Sequence, residues 1–198
     1  GTYKKAGDAM AANYRLTNTG TSENNYSLGI GYHKENFGSE LFFSTFDAEI
    51  AILRSAHIGN LTDLERAIGR DRPLFIDDFS YDINNPYQAV NHKLLKANAH
   101  LKVANLGQVA VQYGLQINAR EEFDIRRAGR STIPALALDL YTHTIDLDID
   151  IAPIGSWKSD LGLTYMNQVN DNRFDLGLSP LIPNYDNFSF GGHFITRF

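Results

Sequence analysis

The chain contains no cysteine, which excludes a disulfide framework, a thiol nucleophile and any thiolate metal site. No apolar run approaches 18 residues, so no transmembrane helix is encoded. No nucleophile sits beside an obvious base, and neither a phosphate-cradling glycine loop nor a metalloprotease spacing occurs. Acidic residues are plentiful, yet no two stand out as an acid/base couple. A non-enzymatic protein without a cofactor is therefore expected. The formal charge of −5 argues against a nucleic-acid partner. The first residues, GTYKKAGDAM, lack the apolar centre of a signal peptide, as expected of a cytoplasmic protein or of a mature or truncated chain.

Mean hydropathy is negative, but this leaves a β-barrel open, because strands that alternate apolar and polar residues average to a middling value. Ten Tyr and twelve Phe in 198 residues suit the aromatic girdles of such a barrel and would also serve a β-sandwich. The most regular stretch is 108–120, QVAVQYGLQINAR. Val109, Val111, Tyr113, Leu115, Ile117 and Ala119 hold the odd positions, and Gln108, Gln112, Gln116, Asn118 and Arg120 hold even ones. Successive side chains of a strand point to opposite faces, so this segment has one apolar and one polar face. It is also longer than the roughly 5–6 residues of an ordinary strand.

Alternation recurs weakly at 9–18 and clearly at 25–34, where Tyr26, Leu28, Ile30 and Tyr32 share a parity. Residues 39–47 read as a strand of ambiguous register, since Leu41 and Phe43 oppose Phe42 and Phe46. A long connection runs from about Glu49 to Tyr87. Within it a helix is expected over 62–69, capped by Thr62, with Glu65 completing a capping box and Gly69 ending it. Strand character resumes at Ala97. Residues 135–152 form a long strand whose parity changes between Leu136, Leu138, Leu140 and Tyr141, which predicts a bulge near Tyr141. Further strands follow from Trp157, with Leu161, Leu163 and Tyr165 in one parity, and over 188–198, with Phe188, Phe190, Phe194 and Phe198 in one parity.

The fold expected is all-β, an antiparallel up-and-down meander of about eight long strands with one short helix in a long loop. Its connections alternate short and long, the pattern of periplasmic turns and outer loops in a transmembrane barrel. The first connection, 17–25, is the exception, being brief on the long side. Tyr141 and Trp157 fall near opposite ends of their strands, where a girdle would lie.

Several segments, AHIGNLTDLERAI, NPYQAVNHKLLK, YGLQINAREEFDIRR, LTYMNQVN and PLIPNY, resemble the barrel of TonB-dependent outer-membrane receptors of the Bacteroidetes type. The resemblance runs from about Ala12 onward. It implies a barrel of roughly 22 strands plugged by an N-terminal domain, in the outer membrane of a Gram-negative bacterium. Its implied partners are outer-membrane lipid, the TonB energy-coupling complex acting through the plug, and a small-molecule ligand such as an iron chelate. Residues 1–198 carry no plug and too few strands, so the chain is expected to be one segment of such a barrel, a truncation.

For ligand binding the candidates are Arg120, Arg126 and Arg127, with Arg130 nearby, since guanidinium forks match carboxylates. Pairing with Glu121, Glu122 and Asp124 to fix the loop is the alternative. Tyr81, Tyr87 and Tyr185, with Phe79, are aromatic candidates near the loops. Asp146, Asp148 and Asp150 share one face and read as a solvated inner wall rather than a hard-metal site. The histidines at 33, 57, 92, 100, 143 and 193 are scattered, so no metal site is expected; His57 and His92 flank the long loop. Two other readings stay open. One is a complete eight-stranded outer-membrane barrel acting as adhesin, anchor or lipid-modifying enzyme; the other is a soluble barrel whose apolar face points inward onto a ligand.

Overall fold

The computed structural model describes residues 1–56, 58–126, 129–173, 180 and 182–198. Eight strands form a single antiparallel sheet in chain order: β1 Thr2–Ala6, β2 Thr21–His33, β3 Phe37–Ala51, β4 Tyr87–Val103, β5 Gly107–Phe123, β6 Leu136–Ile154, β7 Trp157–Asn172 and β8 Tyr185–Arg197. One helix, α1 (Leu61–Ile68), lies in the β3–β4 connection. Among the described residues β1 and β8 are the two edges of the sheet and do not pair with each other. No helix among them is long and apolar enough to cross a membrane.

The sheet has almost no protein core. Among the described residues the buried hydrophobic side chains are Ala48, Ala51 and Ala137, and no large side chain is fully buried. The accessible surface is 13191 Å², against about 9,400 Å² for a compact monomer of this mass. A single layer, open on both faces, accounts for the excess.

Register assigns the faces, because residues directly opposite in an antiparallel pair point the same way. Val111 stands between Ala99 and Leu147, and Leu163 stands between Leu147 and Gly192. Leu28, Ile30, Leu41, Val111, Ile145, Leu163, Phe190 and Phe194 thus form one apolar face, and all are at least two-fifths exposed. The register ambiguity in β3 resolves the same way, with Leu41 and Phe43 on the apolar face beside Ala97 and Leu95. Phe42 and Phe46 turn to the polar face. Aromatic residues frame the apolar face. Tyr32 meets Phe37 and Trp157 meets Phe198 at the short-turn end, while Tyr87 stacks on Phe123 at 4.5 Å at the other end.

The short connections, 34–36, 104–106 and 155–156, all lie at one end of the sheet. Two of them need residues that tolerate positive φ: Asn105 in 104–106, followed by Gly107 at the start of β5, and Gly155 in 155–156. A side chain at Gly107 would run into the Asp150 carbonyl. The connections 7–20, 52–86, 124–135 and 173–184 all lie at the opposite end.

Several expectations are corrected. Residues 9–18 are not a strand. They form an irregular loop with one bridge, Met10 to Arg15, because Asp8, Asn18 and Thr19 divert the backbone into side-chain hydrogen bonds. The first strand is Thr2–Ala6, residues 21–25 belong to β2, and the first connection is therefore long like the others on its side. β4 begins at Tyr87, ten residues before Ala97. There is no bulge near Tyr141: β5 and β6 stay in register from Gln108–Asp150 through Glu122–Leu136, and the irregularity lies at Ile151/Ile154. Leu136, Leu138 and Leu140 keep their parity and point to the polar face. At this long-connection end the faces exchange character, and Asn91 bonded to Asp47 and Arg173 paired with Glu121 continue the otherwise apolar face.

In α1 the cap is Asn60, not Thr62; Asn60 Oδ1 accepts from the Asp63 amide at 2.9 Å, and Gly69 closes the helix at φ −77°. Thr62 lies inside the first turn. Asn60→Ala is expected to weaken α1 by about 1 kcal/mol, read as faster amide exchange across the helix with the strands unchanged.

Candidate functional site

The 52–86 connection folds over the long-connection end of the sheet and encloses a cleft of about 930 Å³ against the 124–135 connection. Five arginines line it, Arg54, Arg66, Arg70, Arg72 and Arg126, with Asp63 and Asp71 as the only acids among the lining residues. Its volume falls in the range of small-molecule sites.

Local structure explains the lining. α1 is amphipathic, but its Leu61, Leu64 and Ile68 face outward, at 69%, 38% and 76% exposure. Its opposite side (Asp63, Arg66, Ala67) turns into the cleft. Arg66 is partly neutralised by Asp63 at 3.5 Å. Arg54 lies over the Phe75 ring, 4.4 Å from its centroid, while the Phe75 amide donates to Ser55 Oγ at 3.3 Å. The cation–π contact thereby fixes one guanidinium at the cleft wall. Among the described residues Arg70 and Arg72 form no ion pair. A region with this excess of guanidinium groups attracts anions, and carboxylate, phosphate or catecholate oxygens match the donor forks.

Of the residues singled out from sequence, Arg126 lines this cleft. It also holds the loop, donating from Nη2 to the Ile133 and Pro134 carbonyls while its amide donates to Ser131 Oγ. Arg127 and His57 lie outside the described residues. Arg120 points to the polar face, paired with Glu122 and away from the cleft. Tyr81 is half exposed and packs edge-on against Phe79 at 4.8 Å, with Lys5 near its ring. Tyr87 points to the opposite side of the sheet from Arg120, stacked on Phe123. Tyr185 is on the polar face, donating from its hydroxyl to Gln168 Oε1 at 3.0 Å. The structure thus gathers Arg126 but not Arg120, Tyr81, Tyr87 or Tyr185 into the cleft. Arg54, Arg66, Arg70 and Arg72 were missed; the run RAIGRDR carried a signal for three of them, which the reading of this stretch as a helix ended by Gly69 passed over.

Asp146, Asp148 and Asp150 all point to the polar face. Asp146 accepts from Thr164 Oγ1 at 2.7 Å, Asp148 stands opposite Gly162, and Asp150 opposite Asp160. Asp160 in turn pairs with His193 at 3.3 Å and Arg197 at 3.7 Å. Among the described residues no group of three or more His, Cys, Asp or Glu side chains is arranged to hold a metal ion. No family model matches the chain, and no curated protein sequence matches it.

Proposed function

We propose that this chain is part of the wall of an outer-membrane β-barrel, that of a TonB-dependent receptor taking up a scarce anionic nutrient such as a metal chelate. The observation that carries the reading is the apolar face of a coreless sheet, framed by aromatics and meeting no protein. In lipid such a face is buried, and the backbone groups of the interior strands are paired along the sheet. Short turns then face the periplasm, and the arginine cleft opens outward, where ligand arrives. An eight-stranded closed barrel is disfavoured because β1 and β8 do not pair. A soluble ligand-binding barrel is disfavoured because the described residues of the apolar face are exposed rather than packed into an interior.

Quenching of Trp157 fluorescence by brominated lipid, with heat-dependent gel mobility, tests the membrane assignment; a protein soluble and folded without detergent would sink it. The cleft is tested separately. Arg70→Ala combined with Arg72→Ala is expected to weaken binding of a ferric tricatecholate by about tenfold or more, since a charged hydrogen bond contributes about 1.5–3 kcal/mol. Unchanged affinity would remove the cleft from the uptake path.

A further inference from the structure

Five histidines are described, and three have a side-chain partner. His92 meets Asn118 at 3.2 Å, His143 meets the Tyr113 hydroxyl at 2.8 Å, and His193 meets Asp160 at 3.3 Å. Among the described residues His33 and His100 form neither a hydrogen bond nor an ion pair. They lie instead against each other, ring centroids 6.0 Å apart and planes 31° from parallel. They come from β2 and β4, either side of β3, and the strand residue opposite both is Gly38. The position a Cβ would take on Gly38 is 2.6 Å from His33 Nδ1 and 2.8 Å from His100 Nε2. The His100 ring reaches closest, through its Cε1, so two imidazoles from non-adjacent strands, each with a nitrogen toward the other, occupy a space that exists because residue 38 has no side chain.

We infer that His33 and His100 form a two-histidine site for a divalent transition-metal ion over Gly38, on the polar face at the short-turn end of the sheet. Neutral imidazole nitrogens at about 2.0–2.1 Å suit zinc, copper or nickel rather than calcium or magnesium. Binding requires each ring to turn so that both nitrogens reach that distance from one ion standing off the sheet, with water filling the other coordination positions. The surroundings support the assignment. Asn98 Oδ1, two residues before His100 on the same face, is shielded from solvent and accepts no hydrogen bond. His33 Nε2 and Glu40 Cγ both approach the space over Gly31, at 3.4 and 3.8 Å. This gives the second ring nitrogen an acid to turn to when the first is on metal.

The test is calorimetric titration of Zn²⁺ into the detergent-solubilised protein, paired with electron paramagnetic resonance of bound Cu²⁺. One ion per chain is expected, with Cu²⁺ coupled to two imidazole nitrogens. His33→Ala and His100→Ala should each weaken Zn²⁺ binding by about tenfold or more. Gly38→Ala should do the same while keeping both imidazoles, and His143→Ala should not; heat-dependent gel mobility checks that each variant is folded. No binding by the parent, a Cu²⁺ spectrum without two-nitrogen coupling, or undiminished binding in folded Gly38→Ala, His33→Ala or His100→Ala would overturn the site.

Discussion

Val111→Arg is expected to destabilise the membrane-folded protein by about 2–4 kcal/mol, whereas Gln112→Arg, the next residue of β5, is expected to cost nothing measurable. Both positions are exposed in the sheet, so protein packing does not distinguish them. They differ in face. Val111 lies between Ala99 and Leu147, and in the proposed barrel wall a guanidinium there would have to be carried into hydrocarbon. Gln112 already donates to Asp146 across the strand pair at 3.5 Å, and an arginine there would meet that carboxylate in a wet environment. Urea unfolding from phosphatidylcholine vesicles measures both. Equal and small costs would mean that the apolar face meets water and would defeat the membrane reading.

The second large effect is expected at Asn18. Its side chain is almost wholly buried, at 4% exposure, and its backbone is left-handed, at φ 61°. Its amide nitrogen donates to the carbonyls of Ile52 (2.9 Å), Asn84 (2.8 Å) and Pro86 (2.8 Å), and its oxygen accepts from the Asn84 amide at 2.8 Å. One side chain therefore holds together both ends of the 52–86 connection. Asn85 Nδ2 extends the same neck to the Asp124 and Ser131 carbonyls. Asn18→Ala leaves the Ile52 and Asn84 carbonyls and the Asn84 amide without this partner, while the Pro86 carbonyl keeps the Ile52 amide, and it keeps the backbone strain, a local cost of about 3–5 kcal/mol. Asn18→Asp retains the acceptor but faces three carbonyls with a carboxylate, and should be as damaging. Amide exchange is expected to accelerate at 52–56 and at Asn84 and Asn85 and to leave β5–β7 protected; uniform protection would show that the neck is held by other contacts.

The parts of the fold legible in sequence are those where one environment persists along a strand. In β5 and β7, Val109 to Ala119 and Leu161 to Tyr165 keep their parity, so alternation declares both the strand and its apolar face. The expectation failed where the environment changes along the strand. In β4, Asn91 and Lys93 share a face with Leu95 and Ala97, while Val90 and Leu94 point the other way. A sign change in the pattern looked like the absence of a strand. In β6 the same change at Leu136–Leu140 looked like a bulge. The loop at 9–18 shows the opposite error: Ala12, Tyr14 and Leu16 alternate by chance, and the capacity of Asp8, Asn18 and Thr19 to capture backbone groups outweighs that weak pattern. Of the cleft, Arg126 was legible because arginines cluster around it in the sequence. Arg66, Arg70 and Arg72 are also close in sequence, but that they meet Arg54 and Arg126 depends on the return of a long connection, which no local spacing records.

The meander has a kinetic consequence. Each interior strand pairs only with the strands before and after it in the chain, and those at the short-turn end are joined by two or three residues. Low loop-closure entropy and local contacts allow pairing to advance hairpin by hairpin without a long-range nucleus. Cooperativity is correspondingly of nearest-neighbour kind, as in repeat arrays. A defect in β7 should propagate first to β8, which has no other described partner, and reach β2 only after four intervening strands have come apart.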